Sequence, residues 1–141
     1  METYFRHRRT VAPSEIDGLG HVNNLVYLAW MVDAATGHSE SVGWPLDRYL
    51  REGFGWVVRS HTIHYRRPAF VGEPIEVVTW IAAMTRVTCL RRYRVIRVSD
   101  GVLLAEGHTE WAFVDYSTGV PRRVAEQIVK DYPTPTEEPP P

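Results

Sequence analysis

Leu25 to Val42 is one long apolar helical stretch, and after Phe54 almost every segment favours strands, a combination that leaves few folds open. Leu25, Leu28, Val32, Ala35 and Ser39 make one face at helical spacing, and Val26, Trp30, Met31 and Ala34 widen the apolar surface beyond a stripe. A helix of that kind needs cover on most sides. Gly43 and Pro45 end it, and Leu46 to Glu52 adds one short turn. The strand-favouring segments are Phe54 to Tyr65, Glu73 to Ala82, Arg86 to Val98 and Leu103 to Asp115, rich in β-branched and aromatic residues. Arg67-Pro68, Gly72-Glu73 and Ser99-Asp100-Gly101 separate them, the last as a hairpin signal. Tyr4 to Val11 supplies a fifth strand before the helix. The economical architecture is α+β, with a strongly curved five-stranded antiparallel sheet enclosing the long central helix. The other sheet face then needs cover, for which a second subunit is the expected source. Alternation fails at Val95 to Val98, where a bulge or an intersubunit face is expected.

The 141 residues fit one domain with a real core, and no internal repeat or linker divides them. Pro121 to Tyr132 is expected to form a small terminal helix, and Pro133 to Pro141, P-T-P-T-E-E-P-P-P, to be a mobile tail. A formal net charge of −1 argues against a general nucleic-acid binder. Cys89 is the only cysteine, so no intramolecular disulfide is possible, and a small buried strand residue is the expected role for it. The start M-E-T-Y-F-R-H-R-R-T lacks the apolar run of a secretion signal, and no stretch is long enough to span a bilayer. A cytoplasmic protein with no membrane partner is expected.

Chemistry concentrates in Asp17 to Tyr27, D-G-L-G-H-V-N-N-L-V-Y. Gly18 and Gly20 permit a tight turn after Asp17, and the helix opens at Asn24 or Leu25. A carboxylate therefore stands beside backbone N–H groups that have no intrahelical acceptor. With the helix dipole they suit a carbonyl oxygen that becomes negative during acyl transfer. His21, Asn23 and Asn24 add donors and acceptors, and Tyr27, about one turn beyond Asn23, can face the same cavity. The same residue types also make ordinary caps and loops, so the physical reading alone leaves a purely structural turn open.

This motif resembles the active-site segment of the hotdog-fold acyl-CoA thioesterases related to 4-hydroxybenzoyl-CoA thioesterase. L-V-Y-L-A-W-M, H-Y-R-R-P-A-F-V-G-E-P-I-E-V and G-H-T-E-W-A-F-V-D follow in that family's order, so the resemblance covers roughly residues 5 to 130. It implies a single hotdog thioesterase-like domain over residues 1–132. It also implies that Asp17 acts on the thioester while the Asn24 backbone N–H polarises its carbonyl. Asp17 would activate water as a general base or attack to form an anhydride that water opens. The polar H-V-N-N departs from the 4-hydroxybenzoyl-type members and reads closer to the broader acyl-CoA or acyl-carrier-protein thioesterases. Family sites lie between two subunits whose sheets join, so a homodimer or homotetramer is implied. Residues from Arg59 to Tyr65 would line the neighbouring wall, with His61, His64 and Tyr65 as pocket candidates beside His21, Asn23 and Tyr27.

Coenzyme A is then part of the substrate and no cofactor is expected. Arg66 and Arg67 are the first candidates for its phosphates, Arg67 ahead, with Arg91, Arg92 and Arg94 in a later strand; each can equally be a solvated surface charge. His61 and His64 are three apart in a strand and point to opposite faces, a poor pair for one metal ion, and no H-E-x-x-H or cysteine cluster is present. Trp30 and Trp44 fit either an acyl cavity or ordinary packing. The leading expectation is metal-independent hydrolysis of an acyl-CoA thioester. The rivals are an acyl-carrier-protein thioesterase, a hotdog hydratase or dehydratase, and a non-catalytic acyl-thioester-binding protein.

Overall fold

The computed structural model describes residues 4–134 together with 138 and 139. The elements run β1 (Phe5–Thr10), a 3-10 turn (Pro13–Glu15), α1 (Asn24–Ser41), α2 (Leu46–Glu52), β2 (Phe54–Tyr65), β3 (Pro74–Met84), β4 (Thr88–Arg97), β5 (Leu103–Asp115) and α3 (Glu126–Asp131). The terminal helix is thus shorter than expected. Part of the expected mobile tail lies outside the described residues; of the rest, Glu138 forms an ion pair with Arg94 at 2.9 Å.

All five strands form one antiparallel sheet in the order β1-β3-β4-β5-β2. The expected curvature is not found. The sheet does not curl round the helix; β1 and β2 remain separate edges, and α1 lies on one face, chiefly against β3 and β1. Dimensions explain this, because five strands spaced at ~4.8 Å make a surface wider than one helix of ~10 Å diameter. α1 therefore covers part of the face, and α2, packed on β2, helps to cover the remainder.

α1 buries Tyr27, Trp30, Met31, Ala34, Ala35 and His38, a continuous helical stripe. Leu25, expected on the inner face, is 75% exposed. Residues three and four apart on Tyr27 define the true face, and Leu25, about 200° round the helix from Tyr27, falls on the opposite side. Two apolar clusters result, one around Trp30, Tyr93 and Val95 near the start of α1, the other around Trp44, Phe113 and Ile128 near its end.

Strand pairing sorts the arginines of β4. Arg91 stands opposite Thr109 and is buried on the helix side, whereas Arg92 and Arg94 stand opposite His108 and Glu106 on the other side. The register of β4 against β5 shifts between Val95 and Ile96, so the break in alternation is a bulge. The Ser99-Asp100-Gly101 hairpin forms, with Gly101 at φ 73° and its N–H on the Arg97 carbonyl at 2.8 Å.

Candidate active site

A short bridge between Ile16 and Val22 pinches the loop before α1 into a closed turn. Within it the Asp17 N–H donates to the His21 carbonyl (3.0 Å) and the Gly20 N–H to the Asp17 carbonyl (3.1 Å). Gly20 sits at φ 86°, a conformation that favours glycine. The Val22 N–H donates to the Ala69 carbonyl and the Asn23 N–H to the Glu15 carbonyl, both at 2.9 Å, which ties both ends of the turn to the body of the protein.

Glu15, which the sequence did not single out, braces this turn. One carboxylate oxygen accepts the Ala12 N–H (2.8 Å) and the other accepts the indole N–H of Trp30 (2.8 Å), so Trp30 is a fully buried strut. The available signal was the A-P-S-E order, in which a glutamate three residues on reaches back to the residue that opens the turn.

Asp17 Oδ1 accepts the Leu19 N–H at 2.8 Å and stands 3.9 Å from His21 Nδ1. Oδ2 has no hydrogen bond among the described residues, and the side chain is 25% exposed. One oxygen is thus held and the other is free to react. At the helix start, Asn23 Oδ1 accepts the Leu25 N–H (2.9 Å) and the Asn23 carbonyl accepts the Val26 N–H (2.9 Å). The N–H of Asn24 comes immediately before these two satisfied donors and meets no acceptor among the described residues. The Tyr65 hydroxyl donates to the Asn24 carbonyl at 2.9 Å, bringing the end of β2 to the same point.

Other expected residues lie at different depths. Tyr27 is 3% exposed, its hydroxyl accepts the Ala69 N–H (3.1 Å), and its ring meets those of Trp30 and Tyr65 edge-on. Burial raises its pKa. His61 faces the helix side, with Nδ1 2.8 Å from Thr109 Oγ1, and partial burial lowers its pKa. His64 points to the other side of the sheet, where it lines a groove with Trp80, Arg92 and His108. The structure thus gathers Asp17, His21, Asn23, Asn24 and Tyr65, backed by Tyr27, and sets the two β2 histidines apart. Arg66 Nε is 3.5 Å from Glu106 Oε2, while Arg67 is exposed with no ion pair to a described residue. Trp44, 2% exposed, lines an apolar cavity near the end of α1. Among the described residues no group of three or more His, Cys, Asp or Glu side chains is placed to hold a metal ion, and no helix is long and apolar enough to cross a membrane.

An antiparallel five-stranded sheet with one long helix on its face, and a carboxylate-bearing turn at that helix's start, defines a hotdog-fold thioesterase related to 4-hydroxybenzoyl-CoA thioesterase. Residues 11–138 match the thioesterase-like superfamily, and the chain belongs to it. Among solved structures, the hypothetical protein TT1821 from Thermus thermophilus is 32% identical, with a TM-score of 0.83 over 91% of this chain and 96% of that one. SAV2348 from Staphylococcus aureus, solved in complex with CoA, shares 19% identity with a TM-score of 0.87 over 99% and 91% of the two chains. Slr0204 from Synechocystis, a 1,4-dihydroxy-2-naphthoyl-CoA thioesterase, shares 18% identity with a TM-score of 0.85 over 92% and 95%. No curated protein is significantly similar in sequence.

Proposed function

We propose that this protein hydrolyses an acyl-CoA thioester to the free acid and coenzyme A, without a metal ion. One observation carries the reading: the free oxygen of Asp17 lies in a hydrogen-bonded turn that leads directly into the helix start where the Asn24 N–H is unsatisfied. In this reading the Asn24 N–H stabilises the negative charge that develops on the thioester oxygen. Asp17 either accepts a proton from the attacking water or attacks the carbonyl carbon itself, giving an anhydride that water then opens. In both routes the carbon–sulfur bond breaks and the coenzyme A sulfur leaves with a proton taken from water.

The family membership supports thioester chemistry, and the coenzyme A complex of SAV2348 supports the carrier. Arg67, exposed and without an acidic partner among the described residues, is the proposed phosphate contact, with Arg66 beside it. An acyl-carrier protein is the second carrier the reading admits. Assembly as at least a dimer belongs to the same proposal, because Leu19, Leu25, Tyr65 and Phe70 leave apolar surface open at the mouth of the site. In that assembly the partner covers the mouth with its own residues from Arg59 to Tyr65, and His61 lies on the shared wall. Residues 1–132 act as the one domain, in the cytoplasm.

The deciding experiment is thiol release from a panel of acyl-CoA substrates. Asp17→Asn should keep its circular dichroism spectrum and lose at least ~10²-fold in turnover. Near-normal turnover in the folded variant removes the assignment.

A further inference from the structure

Between the C-terminal half of α1 and the sheet lies a cavity of about 180 Å³. Trp44, Tyr49, Trp56, Trp111 and Tyr132 give it aromatic walls, and Arg91 enters from β4. That arginine is 4% exposed. Its Nη1 donates to His38 Nδ1 (2.9 Å) and to Thr79 Oγ1 (3.1 Å), and no carboxylate among the described residues pairs with it.

The groups that touch Arg91 are uncharged at neutral pH, and the one carboxylate on the cavity wall, Glu40, is exposed to solvent and makes no ion pair with it. Burial pushes the Cys89 thiol up to about 11 and raises Tyr132, while burial and then Arg91 push His38 down to about 3. The indole N–H of Trp111, on the same cavity wall, is buried without an acceptor. A buried cation that meets only neutral acceptors is costly to keep, and an unfilled indole donor adds to that cost. A negatively charged occupant offsets the buried charge of Arg91.

We propose that this cavity binds a small apolar carboxylate, seated with its carboxylate on the Arg91 guanidinium and its hydrocarbon part against the aromatic walls. Its size sets the class, since a void of ~150 Å³ holds a benzene-sized molecule. The occupant is a ring or a short alkyl chain. The occupant is a free carboxylic acid, because Arg91 meets His38 ~21 Å along α1 from Asn24 at 1.5 Å per residue, beyond the reach of a short acyl group held at the Asn24 N–H. The binding claim is independent of thioester hydrolysis.

Tryptophan fluorescence reports the cavity directly and can be titrated with hexanoate and with hexan-1-ol. Hexanoate should saturate and bind at least ~10-fold more tightly than the alcohol, as a charge-assisted hydrogen bond requires. Arg91→Met should erase that preference while the alcohol still binds. Equal affinities in the unmodified protein, no saturable response to either compound, or a preference that survives in folded Arg91→Met would each overturn the proposal. If Arg91→Met does not fold, the comparison of acid with alcohol in the unmodified protein decides alone. Absence of thiol release from every coenzyme A thioester would end the hydrolase reading and leave the fluorescence result standing.

Discussion

Asn24 serves the proposed reaction through a backbone atom, so truncating its side chain tests little. Proline is the informative substitution: it deletes the N–H at the first helical position, where that group makes no helix bond. Asn23, at φ −59° and ψ 136°, already has the extended conformation that a following proline needs. Asn24→Pro should therefore fold normally and lose ~10²–10³-fold in kcat, while Asn24→Ala loses much less, both measured by thiol release. A folded and fully active Asn24→Pro would move the oxyanion donor elsewhere. His38 supplies a second test. Burial and Arg91 depress its pKa to about 3, below an unfolded value of ~6.5, so the unfolded chain binds the extra proton between these limits. Stability is therefore full above ~6.5 and falls as the pH drops towards 3, with a slope of at most ~1.4 kcal/mol per pH unit. Thermal melts from about pH 7.5 to about pH 5 should show this decline, and His38→Asn should flatten it. The motif at Asp17 was legible because tight turns and helix starts demand particular residue types. Arg91 was not: its strand places arginines on both faces, and alternation alone does not say which face is buried.

At the scale of elements, β2 and β5 meet across Gly107, where a Cβ would collide with the backbone carbonyl of Thr62. Gly107→Ala should push the two strands apart and cost ~1–3 kcal/mol, seen as a lower melting temperature. A variant as stable as the parent would mean that β2 shifts freely. Strand positions, the hairpin at Gly101 and the bulge at Val95 could be read in advance, since turn residues and broken alternation are local signals. The buried stripe of α1 was harder to read, because Leu25 carries apolar surface on to the side of the helix away from the core, which stays exposed. Curvature was not readable at all: periodicity tells a strand which way its side chains face, and nothing about how far neighbouring strands coil.

For the whole molecule, β2 is an outer strand of the sheet, with Val57, Val58 and Tyr65 all exposed. Bare edges of this kind are costly to leave uncovered. Light scattering at assay concentration should give a mass of at least twice 16.2 kDa. An active species of the single-chain mass would end the composite-site reading. The hydroxyl of Tyr65, the last residue of β2, holds the first carbonyl of α1. An outer strand of the sheet is therefore latched to the residue whose N–H is proposed to steady the reaction. A bend in that rim of the sheet is passed to the start of α1 through this bond and through the edge-on contact of the Tyr65 and Tyr27 rings. In the proposed dimer, quaternary contact and reactivity would be wired in series, so a disturbance at the rim is expected to be felt as chemistry before it is felt as unfolding.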